Sequence, residues 1–248
     1  MSSEKATAIV LKVVEFSETS SVVTLFTREF GKIHGLAKGA RKLKGPFESA
    51  LDLLAQCRIV FLRKSSGSLD LLTEAKLQRR FRPRGRELSC LYAGYYVAEL
   101  LSELTDDYDP HPALFDLADQ TLISLAEGGA VAVLVLRFEL AALAILGHLP
   151  SVDTCVQCGT PVEPAGRVAF GLLAGGVLCP NCRGGKRQVV AVGGKTLQAI
   201  GQLGDTNSEA WRQLELDPRT RGELRGLLNN YLSHHLGHKP RMHEYLQP

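Results

Sequence analysis

The apolar positions between residues 6 and 80 follow the pattern of short strands. Runs rich in Val, Ile, Leu and Thr alternate with turn signals and show no helical period. Five runs can be distinguished, and they read ATAIVLKVVEF, SSVVTLFT, IHGLAKGA, CRIVFLRK and SLDLLTEAKL. Five strands in so short a segment favour a small barrel. An OB-fold is the leading choice, because it closes with five strands and commonly binds nucleic acid.

The period changes to that of amphipathic helices after residue 87. One series of apolar residues recurs at steps of three and four from Leu88 to Leu101, and a second runs from Leu114 to Leu125. The stretch VAVLVLRFELAALAILG is apolar on nearly all sides, which predicts a helix in the middle of its domain. Residues 194–203 and 218–237 are also predicted to be helical. The predicted fold class is therefore α+β with several domains.

The charged residues are unevenly distributed along the chain. The formal net charge of the 248 residues is only +3. It combines +9 for residues 1–86, which hold 17 Lys/Arg and 8 Asp/Glu, with −10 for residues 87–154 and +4 for residues 155–248. This asymmetry indicates that the N-terminal part meets a polyanion and the acidic middle part does not.

No segment has the pattern of a membrane span or a secretion signal. The N-terminal residues contain no apolar signal core, and the most apolar stretch, Ala130–Leu149, is interrupted by Arg137, Glu139 and His148. We therefore expect a cytoplasmic protein without a membrane partner. Structural disulfides are rare in that compartment.

Four of the six cysteines form two pairs with the spacing C-x2-C-x20-C-x2-C, namely Cys155, Cys158, Cys179 and Cys182. Each pair lies in a short turn, so both of its thiolates can converge on one ion, and two such pairs complete a tetrahedron. The length between the pairs is typical of a zinc ribbon, and the segment LAGG supplies a hairpin turn there. We predict one structural Zn²⁺ ion.

Other roles for the cysteines fit less well. A redox dithiol needs only one pair in a βαβ context, and two disulfides would suit a secreted chain. A catalytic zinc keeps an open coordination position, whereas four thiolates close the site, so no chemistry is expected at the metal. Cys57 and Cys90 are predicted to be ordinary buried cysteines.

These patterns together predict the domain organisation. Residues 1–82 form the nucleic-acid-binding OB-fold, and residues 83–150 form the first part of a helical domain. Residues 151–190 are a four-cysteine zinc-ribbon insertion, and residues 191–248 complete the helical domain.

The basic residues of the N-terminal part fall into three groups that are candidates for contact with DNA phosphates. They lie in the loop AKGARKLKG, after the fourth strand, and in the run RRFRPRGR. The candidates are Lys38, Arg41, Lys42, Lys44, Arg63, Lys64, Arg79, Arg80, Arg82 and Arg84. The alternative is a solvated surface without a ligand. Phe81, between arginines, is the candidate for stacking on a base, while Phe30, Phe47 and Phe61 are expected in the core.

No set of catalytic residues stands out. The segment VGGKT (Val192–Thr196) resembles the end of a phosphate-binding loop, but Val189 stands where that motif needs glycine. The C-terminal histidines are interpreted as surface or tail residues; they are His234, His235, His238 and His243. No Ser/His/Asp set and no carboxylate pair can be placed in one cleft. We expect a binding protein rather than an enzyme, without a small-molecule substrate.

Three local patterns resemble the RecO family of bacterial DNA repair proteins, and the resemblance covers essentially the whole chain. The segment SETSSVVTLFTREFGKIHGLAKGAR (Ser17–Arg41) is similar to the N-terminal signature of the family. The segment LRFELAALAILGHLP (Leu136–Pro150), followed by CVQCG, is similar to its central helix and zinc knuckle. The segment LGHKPRMHEYL (Leu236–Leu246) is similar to its C-terminal end.

The resemblance implies a DNA-binding recombination mediator of the RecF pathway. Such a protein binds single-stranded and double-stranded DNA and anneals complementary strands. It joins RecR to load RecA onto strands coated by single-strand-binding protein (SSB). A cytoplasmic, nucleoid-associated location is expected.

Arg137 has two interpretations. It is the only Lys or Arg among residues 87–154 and lies in the most apolar helix, where a cation needs a partner. One interpretation is an internal partner, such as an acidic residue of a neighbouring helix. The other, which the family resemblance supplies, is that Arg137 binds the terminal carboxylate of the acidic SSB C-terminal tail.

Two further classes of protein stay open on the residues alone. One is an RNA- or transcription-associated zinc-ribbon protein, which competition between DNA and RNA would identify. The other is a zinc-dependent enzyme, which would need a metal-bound water that exchanges with solvent.

Overall fold

The computed structural model describes residues 3–42, 45–47, 50–64, 69–85 and 88–246. The chain forms two compact units. The first is Met1–Leu134 together with Pro240–Pro248, and the second is Val135–Lys239. The domain boundaries expected after residues 82, 150 and 190 follow the sequence pattern and stay a prediction.

The first unit contains a closed five-stranded barrel. Its strands are β1 (Ser3–Glu15), β2 (Ser21–Thr27), β3 (Gly31–Ala37), β4 (Gln56–Leu62) and β5 (Asp70–Arg79). The strand order is β1-β2-β3-β5-β4, closing back onto β1, with β3 and β5 parallel and the other pairs antiparallel. The predicted barrel of five strands is confirmed.

Alternation along the strands decides which residues fill the barrel. Val23 and Leu25 of β2 and Ile33 of β3 point inward and are fully buried, as the period of two requires. Val22 of β2 and Leu36 of β3 pair with each other and point outward. In β1 a register shift between Val10 and Lys12 changes the alternation, so the end of that strand is exposed on both faces.

Helices cover part of the outer surface of this barrel. They are α1 (Leu88–Leu104) and α2 (Pro112–Ala126), and α3 (Val131–Ile145) begins in the same unit. Phe115 of α2 stacks on Phe26 of β2 with 6.2 Å between the ring centres. The ammonium group of Lys32 donates to the backbone carbonyls of Ser102 and Thr105 at 2.7 and 2.6 Å. These contacts fix the helices on the outer face of β2 and β3 at its Phe26–Lys32 end.

The C-terminal segment of the first unit packs on α1 through His243. A short 3-10 helix (Arg241–Tyr245) begins where the carboxylate of Glu99 accepts from the backbone N–H groups of Arg241 and Met242, at 2.7 and 2.9 Å. The His243 ring is buried and stacks on Tyr96, with Nε2 3.1 Å from the tyrosine oxygen. The expectation of a surface or tail position was therefore wrong for His243; His234, His235 and His238 are exposed.

The second unit combines helices with a small sheet. Its strands β6 (Arg167–Gly171), β7 (Gly176–Leu178) and β8 (Val189–Gly193) lie in the order β7-β6-β8. Its helices are α4 (Gly194–Gly204) and α5 (Pro218–Leu236), with a 3-10 turn at Ala210–Gln213 and the later part of α3. The helices and the hairpin between the cysteine pairs confirm the prediction, whereas β8 was not predicted.

Glu139 is fully buried in α3 and receives a bidentate contact from Arg225 of α5. An unpaired buried carboxylate is strongly unfavourable, so the two helices are held in register by this pair.

Among the described residues, no helix is long and apolar enough to cross a bilayer.

The VGGKT segment forms the corner between β8 and α4. The carboxylate of Glu223 accepts from the Gly193 N–H at 3.0 Å and from the Thr196 hydroxyl, so the chain's own anion lies at this helix N-terminus. Burial acts to raise the pKa of Glu223, but these hydrogen bonds and the charge of Arg167 outweigh it and lower that pKa. A side chain at Gly194 would place its Cβ 1.9 Å from the Pro164 carbonyl oxygen.

We predict that Gly194→Ala lowers the free energy of unfolding by about 1–3 kcal/mol, because backbone must move to admit the methyl group. The matched control is Gly222→Ala in α5, where a Cβ meets no atom within 4 Å. Alanine is better in a helix by up to about 1 kcal/mol, so the control should gain stability. Urea unfolding midpoints measure both changes, and equal midpoints would contradict the steric argument.

Candidate metal centre and nucleic-acid interface

The four predicted ligands come together in the second unit. The sulfur atoms of Cys155, Cys158, Cys179 and Cys182 all lie within 4.8 Å of one another. The Cys158 and Cys179 sulfurs are 3.8 Å apart, and all four residues are free cysteines. Zinc–sulfur bonds of about 2.3 Å in a tetrahedron place the sulfurs about 3.8 Å apart. The cluster therefore has the dimensions of a four-sulfur metal site.

Backbone turns hold each pair of sulfurs on one side of the chain. In the first turn the Gly159 N–H donates to the Cys155 carbonyl at 2.8 Å, and Gly159 has a φ of +72°, which favours glycine. In the second turn the N–H groups of Cys182 and Arg183 donate to the Cys179 carbonyl at 3.0 and 3.2 Å. The spacing of two residues within each pair is explained by these turns.

The protonation of the cluster depends on its close packing. A backbone hydrogen bond from Cys179 lowers the pKa of the Cys155 thiol to about 6, against the effect of burial and with help from the N–H groups of Gln157 and Cys158. Hydrogen bonds with the thiols of Cys179 and Cys158 raise the pKa of Cys182 to about 12. Four thiolates this close repel one another unless a cation lies between them, so the arrangement suits a thiophilic divalent ion.

The apolar core beneath the cysteines is small. The buried residues of this cluster are Cys155, Leu178 and Cys179, with Val162, Ala169 and Val189 partly buried against them. A core of this size contributes little hydrophobic stabilisation, so metal ligation is the main constraint available to hold the turns together. Cys57 and Cys90 lie elsewhere and are buried, as predicted, and burial raises the pKa of Cys57 to about 12.

The first basic group lies beside the β1–β2 turn. Lys38, Arg41 and Lys42 follow β3 and are exposed. The Arg41 N–H donates to the Thr19 carbonyl at 3.2 Å, and its guanidinium lies 3.1 Å from a carboxylate oxygen of Glu15. This group is therefore held against the turn by its own backbone. Lys44 lies outside the described residues.

The second and third groups are partly engaged within the first unit. Arg63 and Lys64 are exposed after β4, and the Arg63 guanidinium lies 4.2 Å from the centre of the Tyr108 ring.

In the third group Arg79 pairs with Asp119 of α2, and Arg80 lies 3.6 Å from Asp52. Arg82 and Arg84 are exposed. The run RRFRPRGR thus divides into arginines with internal partners and arginines that face solvent.

The aromatic residues are placed differently from what the sequence suggested. The Phe81 ring packs against α1, because a Cβ built on Gly94 would lie 2.8 Å from it. Phe47 and Phe61 are buried, and Phe30 packs edge-on against Phe61, as expected for core residues. Phe16, in the β1–β2 turn, carries an exposed aromatic ring that sequence reasoning missed. The sequence signal for its exposure was its position at the end of a β-branched run, directly before the polar segment SETS.

Arg137 has internal partners in the second unit. It is 7% exposed, and its Nη1 donates to the carbonyls of Leu203 and Asp205, the latter at 3.0 Å. Its guanidinium also lies 5.4 Å from the centre of the Trp211 ring. Burial lowers the pKa of Arg137, while the charges of Glu209 and Asp205 act to raise it. The cation thus satisfies carbonyls at the C-terminal end of α4, where a positive charge is favourable.

Comparison with known proteins gives a consistent result over the whole chain. The family model described as recombination protein O N terminal matches residues 1–81, and the one described as recombination protein O C terminal matches residues 86–244. A DNA repair protein RecO from Rhodopirellula baltica is 41% identical over 96% of this chain and 97% of its own length. One from Myxococcus xanthus is 36% identical over 94% of this chain and 92% of its own length. One from Moorella thermoacetica is 31% identical over 98% of this chain and 90% of its own length.

We predict that purified protein carries one metal ion per chain and that Cys155→Ser loses it, because a hydroxyl is a poor ligand for a thiophilic ion. The variant should also unfold at a lower temperature than the unaltered chain. Metal analysis by plasma mass spectrometry and thermal unfolding measure the two effects. Cys90→Ala is the matched control, since it removes a buried cysteine outside the cluster. Metal retained by Cys155→Ser, or absent from the folded unaltered chain, would refute the assignment.

Proposed function

Because the chain belongs to the recombination protein O family, we propose that it is a mediator of recombinational DNA repair that binds single-stranded and double-stranded DNA and anneals complementary strands. The observation that carries the proposal is the group Lys38, Arg41 and Lys42, which lies exposed beside an exposed turn of the barrel. Cations placed in this way neutralise phosphates without reading the bases.

Annealing follows from the same electrostatics. Two strands repel each other through their phosphates, and a protein that neutralises phosphates on both lowers that repulsion. Contacts restricted to the backbone leave the base edges free to pair. We place the DNA on the basic groups predicted from the sequence, with Arg82 and Arg84 available to the phosphates and Arg79 and Arg80 able to join only after leaving Asp119 and Asp52.

We propose that the ion held by the four cysteines is Zn²⁺ and that its role is structural. Four sulfur ligands in a tetrahedron are the set that zinc prefers, and they leave no coordination position for a substrate or a water. Bound Zn²⁺ would therefore hold the two turns and supply no reactive group. This supports a protein that acts by binding and not by catalysis.

We further propose the partners that membership of this family implies. The protein joins RecR, and together they help to load RecA onto single-stranded DNA coated by SSB. It binds the C-terminal tail of SSB, with Arg137 as the candidate contact. Support for a role in DNA repair comes from the relatives named DNA repair protein RecO, which are similar to this chain over nearly their whole length.

We predict that Arg41→Ala/Lys42→Ala weakens DNA binding and flattens its dependence on salt. Each lost phosphate contact on a single strand reduces the slope of log affinity against log salt by about 0.7, so two lost contacts reduce it by about 1.4. Fluorescence anisotropy titrations from low to physiological salt measure the slope. The charge-reversed Arg41→Glu/Lys42→Glu should also slow the annealing of SSB-coated complementary oligonucleotides.

The matched control for this loop is Arg219→Ala/Arg221→Ala, which removes two cations from α5 in the second unit. It should leave the slope unchanged. Equal slopes for the loop variant and the unaltered chain would show that the loop is only a solvated surface. A stronger preference for RNA in competition would favour an RNA-binding protein.

We predict that Arg137→Ala leaves affinity for naked DNA nearly unchanged and weakens binding of an SSB tail peptide about tenfold or more, the effect of losing a charged hydrogen bond of about 1.5–3 kcal/mol. It should also lower the unfolding temperature, because the carbonyls of Leu203 and Asp205 lose their donor. Calorimetric titration with the peptide is done below that temperature. Arg212→Ala, which removes another cation beside Trp211, is the control. Unchanged peptide affinity in the folded variant would leave Arg137 with a structural role alone.

A further inference from the structure

Phe16 presents an aromatic ring to solvent at a fixed place in the fold. It is 65% exposed, more than any other large apolar side chain in the described ranges. It opens the turn between β1 and β2, where its N–H donates to the Ser20 carbonyl at 3.0 Å and the Ser17 N–H donates to the same oxygen at 3.2 Å. A single exposed apolar side chain is common on protein surfaces, so the features beside the ring decide whether it meets a ligand.

The ring continues an apolar strip on the outer face of the barrel. Val14 of β1 pairs with Val22 of β2, which in turn pairs with Leu36 of β3, so these three side chains stand in a row on one face. Val14 is 45% exposed, and the other two are half-buried. Phe16 follows Val14 by two residues and extends the row into the turn. The β1–β2 turn is one of the surfaces with which five-stranded barrels of this type bind oligonucleotides. The Val22–Leu36 pair lies at the end of the β2–β3 face next to that turn, away from the Phe26–Lys32 pair on which the helices pack.

The Arg41 side chain contacts the residues before and after Phe16. The Arg41 guanidinium lies 3.1 Å from the Glu15 carboxylate and 3.4 Å from the Ser17 carbonyl, the residues on either side of Phe16. Both members of the Arg41–Glu15 pair are well exposed, so the pair is worth only about 0–1 kcal/mol and is readily exchanged for a phosphate. Lys38 and Lys42 are exposed in the same segment.

From this geometry we propose that Phe16 stacks on an unpaired base of single-stranded DNA while Arg41 and Lys42 bind the neighbouring phosphates. The inference rests on the proposed function and specifies how the β1–β2 turn takes part in it. A ring beside exposed cations matches the two features of a single strand, since every base offers a π-face and every nucleotide a charge. In a duplex the bases are already stacked and paired, so the ring has no partner there.

The test compares Phe16→Ala with the unaltered full-length chain on a labelled oligo(dT) and on a duplex of the same length. Stacking is worth about 1–3 kcal/mol per base, so single-strand affinity should fall between about fivefold and 150-fold. Duplex affinity should change by less than about twofold. The salt slope should stay unchanged, because no phosphate contact is lost, unlike in the Arg41→Ala/Lys42→Ala variant.

Further variants separate stacking from simple apolar contact and from misfolding. Phe16→Leu keeps an apolar side chain and should lose affinity as Phe16→Ala does, whereas Phe16→Trp should bind at least as tightly as the unaltered chain. Leu173→Ala removes another exposed apolar side chain, 45% exposed in the β6–β7 turn, and should have no effect. Oligo(dT) should quench the fluorescence of the indole in Phe16→Trp. Trp211, the chain's only native tryptophan, is buried and supplies the reference signal from the unaltered chain.

The outcomes separate this inference from the proposed function. Equal single-strand affinity for Phe16→Ala and the unaltered chain, or equal losses on single-strand and duplex DNA, would overturn the stacking role and leave DNA binding intact. A loss confined to an acidic peptide, or a change in oligomeric state without a change in single-strand affinity, would assign the ring to another ligand. If the unaltered chain bound neither form of DNA, the proposed function itself would fail.

Discussion

Closure of the barrel through the parallel pairing of β3 with β5 is the constraint on which the first unit depends. This pairing spans only three residue pairs, from Gly35–Asp70 to Ala37–Leu72, and it joins the two halves of the sheet. A closed sheet has no free edge with which to bind another strand. Recognition is therefore left to the loops and to the outer face. Because β3 ends at Ala37, the basic segment that follows leaves the sheet beside the β1–β2 turn, where Thr19 accepts the Arg41 N–H.

In the second unit the main constraint is that buried charges need partners. Glu139 is neutralised by Arg225, and Arg137 is satisfied by the last carbonyls of α4. Each contact joins α3 to a later helix, so removing one partner would leave a buried charge or buried carbonyls unpaired. The four cysteines, of which Cys155 and Cys179 are buried, are constrained by their mutual distance. Thiols this close are compatible with one another only with a cation or with shared protons, and this links their protonation to metal binding.

The parts of the fold that local pattern controls could be predicted from the sequence. Runs rich in β-branched and apolar residues, separated by turn signals, identified the five barrel strands. Apolar spacing of three and four identified helices, and cysteine spacing identified the cluster. Pairings between distant residues could not be predicted. His243 is buried because it meets Tyr96, 147 residues away, and Arg79 is engaged because it meets Asp119. The strand β8 was missed because it has only five residues and follows a loop rich in glycine and arginine, and because its pairing with β6 joins residues about 20 positions apart.

The aromatic residues show why exposure is harder to predict than secondary structure. Phe81 lies among arginines, which suggested a free ring, but Gly94 gives it a place against α1. Phe16 follows the apolar residues of β1, and only its place before the polar segment SETS marks its ring as exposed. The register shift between Val10 and Lys12 changes the alternation just before it, and the end of β1 extends beyond the barrel interior. A bulge is set by the partner strand, so its effect on Phe16 cannot be seen in a single segment.

A mediator that anneals strands has to bind DNA and also release it, and the exposed ion pairs of the first unit bear on that balance. Arg41 with Glu15 and Arg80 with Asp52 are paired in the free protein, and each pair must open before its arginine meets a phosphate. Each opening costs at most about 1 kcal/mol, which lowers the net gain per phosphate without removing it. Many contacts of modest strength can be replaced one at a time by a second strand, whereas a few strong ones cannot. The proposed function therefore agrees with a surface in which the cations are numerous, exposed and partly compensated.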